Sequence, residues 1–445
     1  MASVYFVKFI QSQLVTKYFR IQEPNGENQK TIAVIGWPTN DPPLLSSMFV
    51  SKLWVQREIS PKIIRNIDVI LYDIDAKIEG ENDLELNKLS PETLLVFDWS
   101  NNLAQFNIAV EIANGIIESF HLTTNYYLNF VVVGQAASTP RENLREFNSY
   151  LPLFVNLKAP FPSEEKTADE TDGGSSSLTS IARSRFLCLG GYPAPHKIFF
   201  MAELDKHGLL DQMQWTAGTL ETGRWGNYHS VLEKRLSEQN DITIDDLDRF
   251  TRKLPHVVDI DPGQVMQDSI TAINPDLYTS GDLHIVLESE DNSPDISGCK
   301  TDIRYTEKTL KAIVMEHPFL IYGNFGTLIL LQSHGFRTFH PIINETYDLI
   351  PTRKDRVDAL LLEITRLSKL DQDDYAEMLV ALKKVTVYNQ KWLQSKQFKE
   401  MLRTQGEFAL GLLPDNAFDN YQDMSTVVDK IYAGLNPEEP CSIFF

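Results

Sequence analysis

The segment Arg304-Tyr305-Thr306-Glu307-Lys308 is followed, after one helix-length run, by His317-Pro318 and then by Gly323-Asn324-Phe325-Gly326-Thr327. In this order the residues have the types that hold a diphosphate. Thr306 is placed to cap a helix whose first turn holds Glu307 and Lys308, and the apolar run 318–322 reads as a strand ending in a glycine turn that opens another helix near Thr327. Two helix N-termini facing one crevice favour negative charge, because their first N–H groups lack intrahelical acceptors and the helix dipole is positive there. Glu307 can accept ribose hydroxyl protons, and Lys308 can neutralise a phosphate. The same residues also suit a plain structural role, since Glu and Lys are common first-turn charges and Gly fits any turn of positive φ.

A second chemistry competes for attention. Asp73-Ile74-Asp75 follows an apolar strand, and Asp259-Ile260-Asp261 follows Val257-Val258; an Asp-x-Asp at a strand end can hold a divalent cation on a diphosphate. Such triplets arise readily in an acidic chain, and neither brings further ligands with it, so no metal is expected. His334 and His340 read as packing or capping residues. The three cysteines, at 188, 298 and 441, lack any CxxC or Cys/His spacing, which excludes a disulfide framework and a zinc site.

The elements that must position these groups are legible as patterns. Runs at 31–36, 68–73, 94–98 and 129–134 are short, rich in Val, Ile or Leu and not alternating, as strands buried on both faces are. Between them, 106–120 repeats Ile108, Ile112, Ile116 and Phe120 every four residues, a helix spacing. The stretch 163–178, acidic and then Ser/Gly-rich, reads as a linker. The α/β pattern resumes with a strand at 185–189, the turn Gly190-Gly191 and a helix over 195–207, and further strands are expected at 282–288 and 318–322. Beyond Arg353 the chain is helical, with Val357, Leu360, Leu361, Ile364 and Leu367 on one face and Tyr375, Met378, Leu379, Leu382 and Val385 on another. The reading is an α/β protein with an N-terminal domain at 1–162, a linker at 163–178, a second α/β domain at 179–352 and a helical extension at 353–445.

Lys+Arg number 41 against 61 Asp+Glu, a formal charge of −20. That balance disfavours nonspecific nucleic-acid binding unless the cations gather on one face. The modest basic clusters are 62–65, 353–356 and 383–399. No run reaches the length of a membrane span, and the N-terminus does not read as a secretion signal, so a cytoplasmic protein is expected.

The segment around Thr306-Glu307-Lys308 resembles the donor-binding half of fucosyltransferase-like nucleotide-sugar glycosyltransferases, whose motif reads aromatic-x-Thr-Glu-Lys. The resemblance extends upstream to Arg185-Phe186-Leu187-Cys188-Leu189, Pro195-His196-Lys197 and His284-Ile285-Val286-Leu287-Glu288, and downstream through Gly335-Phe336-Arg337 to Asn344-Glu345-Thr346. It covers roughly 185–367, in the style of members common in bacteriophages and large viruses, which would place the protein in a host cytoplasm.

The resemblance implies a GT-B architecture of two Rossmann-like domains and transfer from a nucleoside diphosphate sugar, inverting and without a metal or other cofactor. By motif position, Glu307 would bind the ribose, Lys308 the diphosphate and Lys197 a second phosphate oxygen, with Thr306, His196, Gly191, Gly323, Asn324 and Gly326 around them. Arg304 stands where the family has Tyr or Phe, and can itself bring charge to the diphosphate. The turn after Gly191 lacks the arginines of phage-type relatives, which leaves nucleotide and sugar open. Displacement at a sugar carbon needs a base for the acceptor hydroxyl. Asp98, ending a buried strand beside Trp99, is the first candidate, and Asp73 the second. The expected acceptor is a glycan or small hydroxylated compound. The alternatives are DNA carrying hydroxymethylated pyrimidines, or a non-catalytic carbohydrate-binding or assembly protein of the same fold.

Overall fold

The computed structural model describes the strand backbones 15–22, 29–36, 56–58, 69–73, 94–99, 126–130 and 144–146, and residues 148, 150–157, 183–191, 193–218, 242–256, 271–289, 291 and 304–409. The chain divides into two compact units, Met1–Leu153 with Lys396–Phe445, and Phe154–Ser395. The expected helix 106–120, linker 163–178, basic cluster 62–65, and Asp75, Asp259 and Asp261 lie outside the described residues.

The first unit holds strands β1 (Val15–Gln22), β2 (Gln29–Gly36), β3 (Gln56–Glu58), β4 (Val69–Asp73), β5 (Leu94–Trp99), β6 (Tyr126–Phe130) and β7 (Leu144–Glu146). They form one sheet in the order β3-β1-β2-β4-β5-β6-β7. From β2 to β7 every neighbour is parallel, whereas β1 pairs antiparallel with both β2 and β3. The sheet is therefore mixed at one end. The strand expected at 129–134 is described from Tyr126, where two tyrosines and a leucine supply the aromatic and branched residues that strands favour.

In the second unit, β8 (Ser184–Leu189), β9 (Met213–Thr216), β10 (Gly281–Leu287) and β11 (Phe319–Tyr322) make an all-parallel sheet in the order β11-β10-β8-β9. All four residues of β11 are buried, which is why Phe-Leu-Ile-Tyr shows no alternation. Helix α1 (Pro195–Lys206) links β8 to β9. Pro195 at its first turn fits because that N–H needs no helical acceptor. The residues from Pro195 to Leu204 are all buried, so α1 has no polar stripe to mark it as a surface helix. Two short helices, α2 (Ile244–Thr251) and α3 (Pro275–Thr279), precede β10, and α2 is held by a Thr243–Asp246 capping box. Helix α4 (Glu307–Val314) links β10 to β11, and α5 (Thr327–Ser333) follows β11.

Helices α6 (Arg353–Ser368) and α7 (Gln372–Gln394) complete this unit, and α8 (Lys396–Ala409) belongs to the first. The apolar face Val357, Leu360, Leu361, Ile364 and Leu367 is buried as its spacing requires. Between its apolar residues α6 also buries Arg353 and Arg356. Arg353 Nε lies 2.8 Å from Asp291 Oδ2, which accepts the Tyr322 hydroxyl at 2.7 Å, and Arg356 donates to the Asp291 carbonyl at 3.2 Å. These contacts tie α6 to the end of β11. They also take the 353–356 cluster out of any cationic surface, since the remaining Lys354 pairs with Asp358 at 2.7 Å.

The turn after β8 shows two glycines with different reasons to be there. A Cβ on Gly190 would meet the Thr216 carbonyl at 2.6 Å, because the Gly190 N–H donates to that same oxygen at 2.7 Å. Gly191 has φ +51° and open space around it. Gly190→Ala should therefore cost about 3 kcal/mol in denaturant unfolding, the upper end for overpacking. Gly191→Ala should cost about 1 kcal/mol, the conformational term alone.

Candidate functional site

The strand order β11-β10-β8-β9 places a topological switch between β8 and β10, because the chain runs outward to β9 on one side and to β11 on the other. In open parallel sheets the crevice past the carboxyl ends of two such strands is where ligands bind. Here β8 runs into Gly190-Gly191, and β10 runs into Glu288-Ser289. The helices that leave these strand ends, α1 and α4, bring Lys197, Glu307 and Lys308 to the same place.

Glu288 organises the crevice. Only 2% exposed, it accepts from Thr306 N at 3.0 Å, Thr306 Oγ1 at 2.6 Å and Thr309 Oγ1 at 2.6 Å. Its carbonyl lies 2.9 Å from His196 Nε2, and its N–H donates to the Tyr322 carbonyl at 2.9 Å. One residue thus joins β10 to β11, α1 and the start of α4. Thr306 occupies the N-cap position but makes no side-chain cap to its own helix; its hydroxyl is donated to Glu288 instead. The carboxylate instead takes the N-cap residue's own N–H and hydroxyl, bonds made strong by its charge at a helix N-terminus. Gly323 is small for the same reason, since a Cβ there would lie 3.1 Å from Glu288 Cβ.

With α4 fixed this way, its first turn presents Glu307 and Lys308. Lys308 Nζ is 2.5 Å from Glu307 Oε1 and 2.9 Å from Ser289 Oγ. Burial pushes the Glu307 carboxyl up, but the Lys308 charge and hydrogen bond, with Thr306 and Lys311, hold it below the usual carboxylate range. Lys197, 4% exposed, makes one long hydrogen bond, to the Gly190 carbonyl at 3.4 Å. Burial, and after it the nearby Lys308 charge, depress the Lys197 ammonium to about 7, against the pull of Glu307 and Glu288. Two ammonium groups and one largely buried carboxylate therefore act on each other across segments separated by more than a hundred residues of sequence. Cys188 on β8 shares this environment, and burial pushes its thiol up to about 12, so it stays protonated and inert.

The other expected residues divide. His196 is buried and serves the strand end through Glu288. Arg304 is 3% exposed, and its carbonyl accepts from Thr327 Oγ1 at 3.3 Å, so it forms part of the support beneath the crevice. Tyr305 is anchored from behind, its hydroxyl 2.6 Å from Nδ1 of the buried His334, whose imidazole burial depresses to about 4. Gly326, at φ +77°, opens α5, and the Asn324 carbonyl accepts from Thr327 Oγ1 at 2.7 Å. The N-terminus of α5 already has an acceptor: Asp348 Oδ2 accepts from Leu328 N at 2.9 Å, and burial pushes that carboxyl up to about 7. The expectation of two open helix ends over one crevice is corrected at α5, whose Leu328 amide is taken by Asp348; at α4 it is the N-cap amide of Thr306 that goes to Glu288. Asp73 and Asp98 lie on the first unit's sheet as Cα partners at the carboxyl ends of β4 and β5.

Glu288, quoted in the sequence only as the end of a strand and given no role, and Ser289, not singled out, are the residues that motif reading missed. The signal was an acid closing a buried strand, with two threonines spaced three apart at the next helix start. Among the described residues no group of three or more His, Cys, Asp or Glu is arranged to hold a metal ion, and no helix is long and apolar enough to cross a membrane.

No protein-family model matches the chain, and no curated protein matches it. Two solved structures align with it at low similarity. A crystal structure of an α1,3-fucosyltransferase with GDP is 10% identical, covers 76% of this chain and 81% of its own, and has a TM-score of 0.29. The spinosyn rhamnosyltransferase SpnG complexed with spinosyn aglycone is 12% identical, covers 78% of this chain and 75% of its own, and has a TM-score of 0.27. At this level of similarity they bear on neither the fold nor the function of this chain.

Glu288→Gln should destabilise the protein by about 1.5–3 kcal/mol, because an amide cannot accept both threonine hydroxyls and the lost bonds have a charged partner. Denaturant unfolding of the variant measures it. Lys197→Met should act in the opposite direction, adding about 1–4 kcal/mol at pH 7 by removing a buried charge. Between pH 7 and 10.5 the unfolded chain binds the Lys197 proton and the folded one does not, so wild-type stability gains with pH from this group. In Lys197→Met that part of the slope, up to about 1.4 kcal/mol per pH unit, should vanish.

Proposed function

We propose that this protein is a glycosyltransferase that takes its sugar from a nucleoside diphosphate donor held at the β8/β10 switch of the second unit. The observation that carries this reading is the convergence of Lys197, Lys308 and Glu307 on the carboxyl ends of those two strands. Two ammonium groups suit a diphosphate, and a carboxylate held ionised beside them suits a ribose diol. In this reading phosphate oxygens draw Lys308 away from Glu307 and give Lys197, whose hydrogen bond among the described residues is the long one to the Gly190 carbonyl, a close anionic acceptor. The Gly190-Gly191 turn lets the backbone approach the ligand closely.

The finer reading follows the family resemblance. The protein has GT-B organisation with two Rossmann-like domains, and transfer inverts the anomeric carbon. The acceptor oxygen bonds to that carbon as the bond to the β-phosphate oxygen breaks, the hydroxyl proton passes to a carboxylate, and the diphosphate leaves with the electron pair. Lys197 and Lys308 stabilise the departing charge in place of a cation. Asp98 is the proposed base, with Asp73 second. A glycan or small hydroxylated acceptor is favoured over DNA, which needs several free cations on one face; Arg353 and Arg356 are buried on Asp291, and Lys383 pairs with Glu316 at 2.6 Å.

Calorimetry with uridine, guanosine, thymidine, adenosine and cytidine diphosphates tests the donor site. One should bind, and Glu307→Ala should weaken it by about 1.5–3 kcal/mol, the range for bonds to a charged group. No binding by any of the five, or unchanged binding by Glu307→Ala, contradicts the reading.

A further inference from the structure

The charge of Lys197 is poorly supported by its surroundings. An ammonium presents three N–H groups, an amine two and a lone pair. Among the described residues Lys197 Nζ has one hydrogen-bond acceptor, the Gly190 carbonyl at 3.4 Å, which is long for such a bond. The residue is 4% exposed, so solvent gives it little help. The titratable groups that face it are Lys308 and Glu307 from α4, Glu288 from the end of β10 and Cys188 from β8. Both carboxylates are engaged elsewhere. Glu288 takes the Thr306 N–H, the Thr306 and Thr309 hydroxyls and, at 3.3 Å, the Ser289 N–H, while Glu307 Oε1 is held by Lys308 Nζ. Cys188 stays a thiol and brings no charge. Burial first, and the like charge of Lys308 second, accordingly hold the Lys197 ammonium at about 7, against Glu307 and Glu288.

An anion in this place reverses the balance. A phosphate oxygen attracts an ammonium and repels an amine lone pair, and the difference is larger in a crevice that excludes water than in bulk. The turn leaves room for one, since a Cβ added to Gly191, the residue next to the Lys197 acceptor, would meet nothing within 4 Å. A side chain near the midpoint of its titration when the crevice is empty is therefore driven to its charged form when the crevice is filled.

We infer that Lys197 is a proton-coupled anion subsite, whose side chain takes up a proton from solvent as a phosphate group binds and returns it when the diphosphate leaves. The amine lone pair forms the new N–H bond, and nothing is oxidised or reduced. This rests on the donor-site reading and adds a pH dependence to it. The bound anion restores the ammonium toward the ordinary lysine value of about 10.4, so affinity is level below pH 7 and falls as pH rises above it. The fall is about fivefold from pH 7 to 8 and about tenfold over the next unit.

Calorimetry of the full chain at pH 8, in two buffers of different ionisation enthalpy, counts the protons. The ligands are the five nucleoside diphosphates and sulfate, a dianion with no proton to exchange in this range. Wild type should take up about 0.9 proton per anion bound, the uncharged fraction at pH 8 of a group at about 7. Lys197→Arg, permanently charged, should bind with about 0.1 proton or less and with an affinity that changes by less than about twofold between pH 7 and 8. Lys197→Met, titrated at higher ligand concentration, should bind more weakly and also without uptake, and it carries the test if the arginine variant does not fold. Diphosphate binding that depends on Glu307, with no proton uptake or with uptake unchanged in both Lys197 variants, overturns the subsite and leaves the donor site standing. Uptake on sulfate binding that is lost in both variants, with no nucleoside diphosphate bound, supports the subsite and refutes the donor reading. Failure of every ligand to bind contradicts both.

Discussion

The second unit depends on a buried carboxylate closing a helix. Glu288 ends β10, and its two oxygens take the Thr306 N–H and the hydroxyls of Thr306 and Thr309, so the direction in which α4 leaves the sheet is set by three short bonds to one charge. Everything that α4 offers follows from that anchoring: the height of Glu307 and Lys308 over the strand ends, the approach of Lys308 to Ser289, and the need for glycine at 323. Because the Glu288 carbonyl also meets His196, the start of α1 is referred to the same point, and Lys197 with it. A carboxylate at a helix N-terminus is favoured by the dipole, and its burial is tolerated because its oxygens are well supplied with donors.

The crevice above is electrostatically unlike this support. Below it, polar groups are matched: Asp291 meets Arg353 and Tyr322, and Asp348 accepts from the Leu328 amide. In the crevice a buried ammonium has one weak acceptor and a second ammonium nearby. A protein that only had to fold would do better with an apolar side chain at 197. Binding sites are where such unfavourable arrangements collect, since the ligand supplies the missing partner.

The core strands and long helices were legible because burial on both faces leaves an unmistakable signature. Cys188, Ile285 and Ile321 sit in runs too short for helices and too apolar for edges, and α6 repeats Val357, Leu360, Ile364 and Leu367 at helical spacing. Strand β1 was not read, although Val15, Phe19 and Ile21 with Pro24-Asn25-Gly26 beyond them carry a hairpin signal; its Lys17 and Arg20 interrupt the run. Strand β9 is only four residues long and was hidden for that reason. At the site, Thr306-Glu307-Lys308 was visible because all three are contiguous. Glu288 was in view as the last residue of a strand, but its role was not, because that role is a contact across eighteen residues of chain, and a buried acid at a strand end looks like a solvated one until its partners are known.

Hydrogen–deuterium exchange of the full chain, with and without saturating nucleoside diphosphate, tests the central claim most directly. The slowing should map to 188–191 and 304–310 in the second unit, the backbone on either side of the β8/β10 switch, and should disappear in Glu307→Ala. Exchange unchanged in both segments while a diphosphate is demonstrably bound, or slowing confined to another part of the chain, would contradict it.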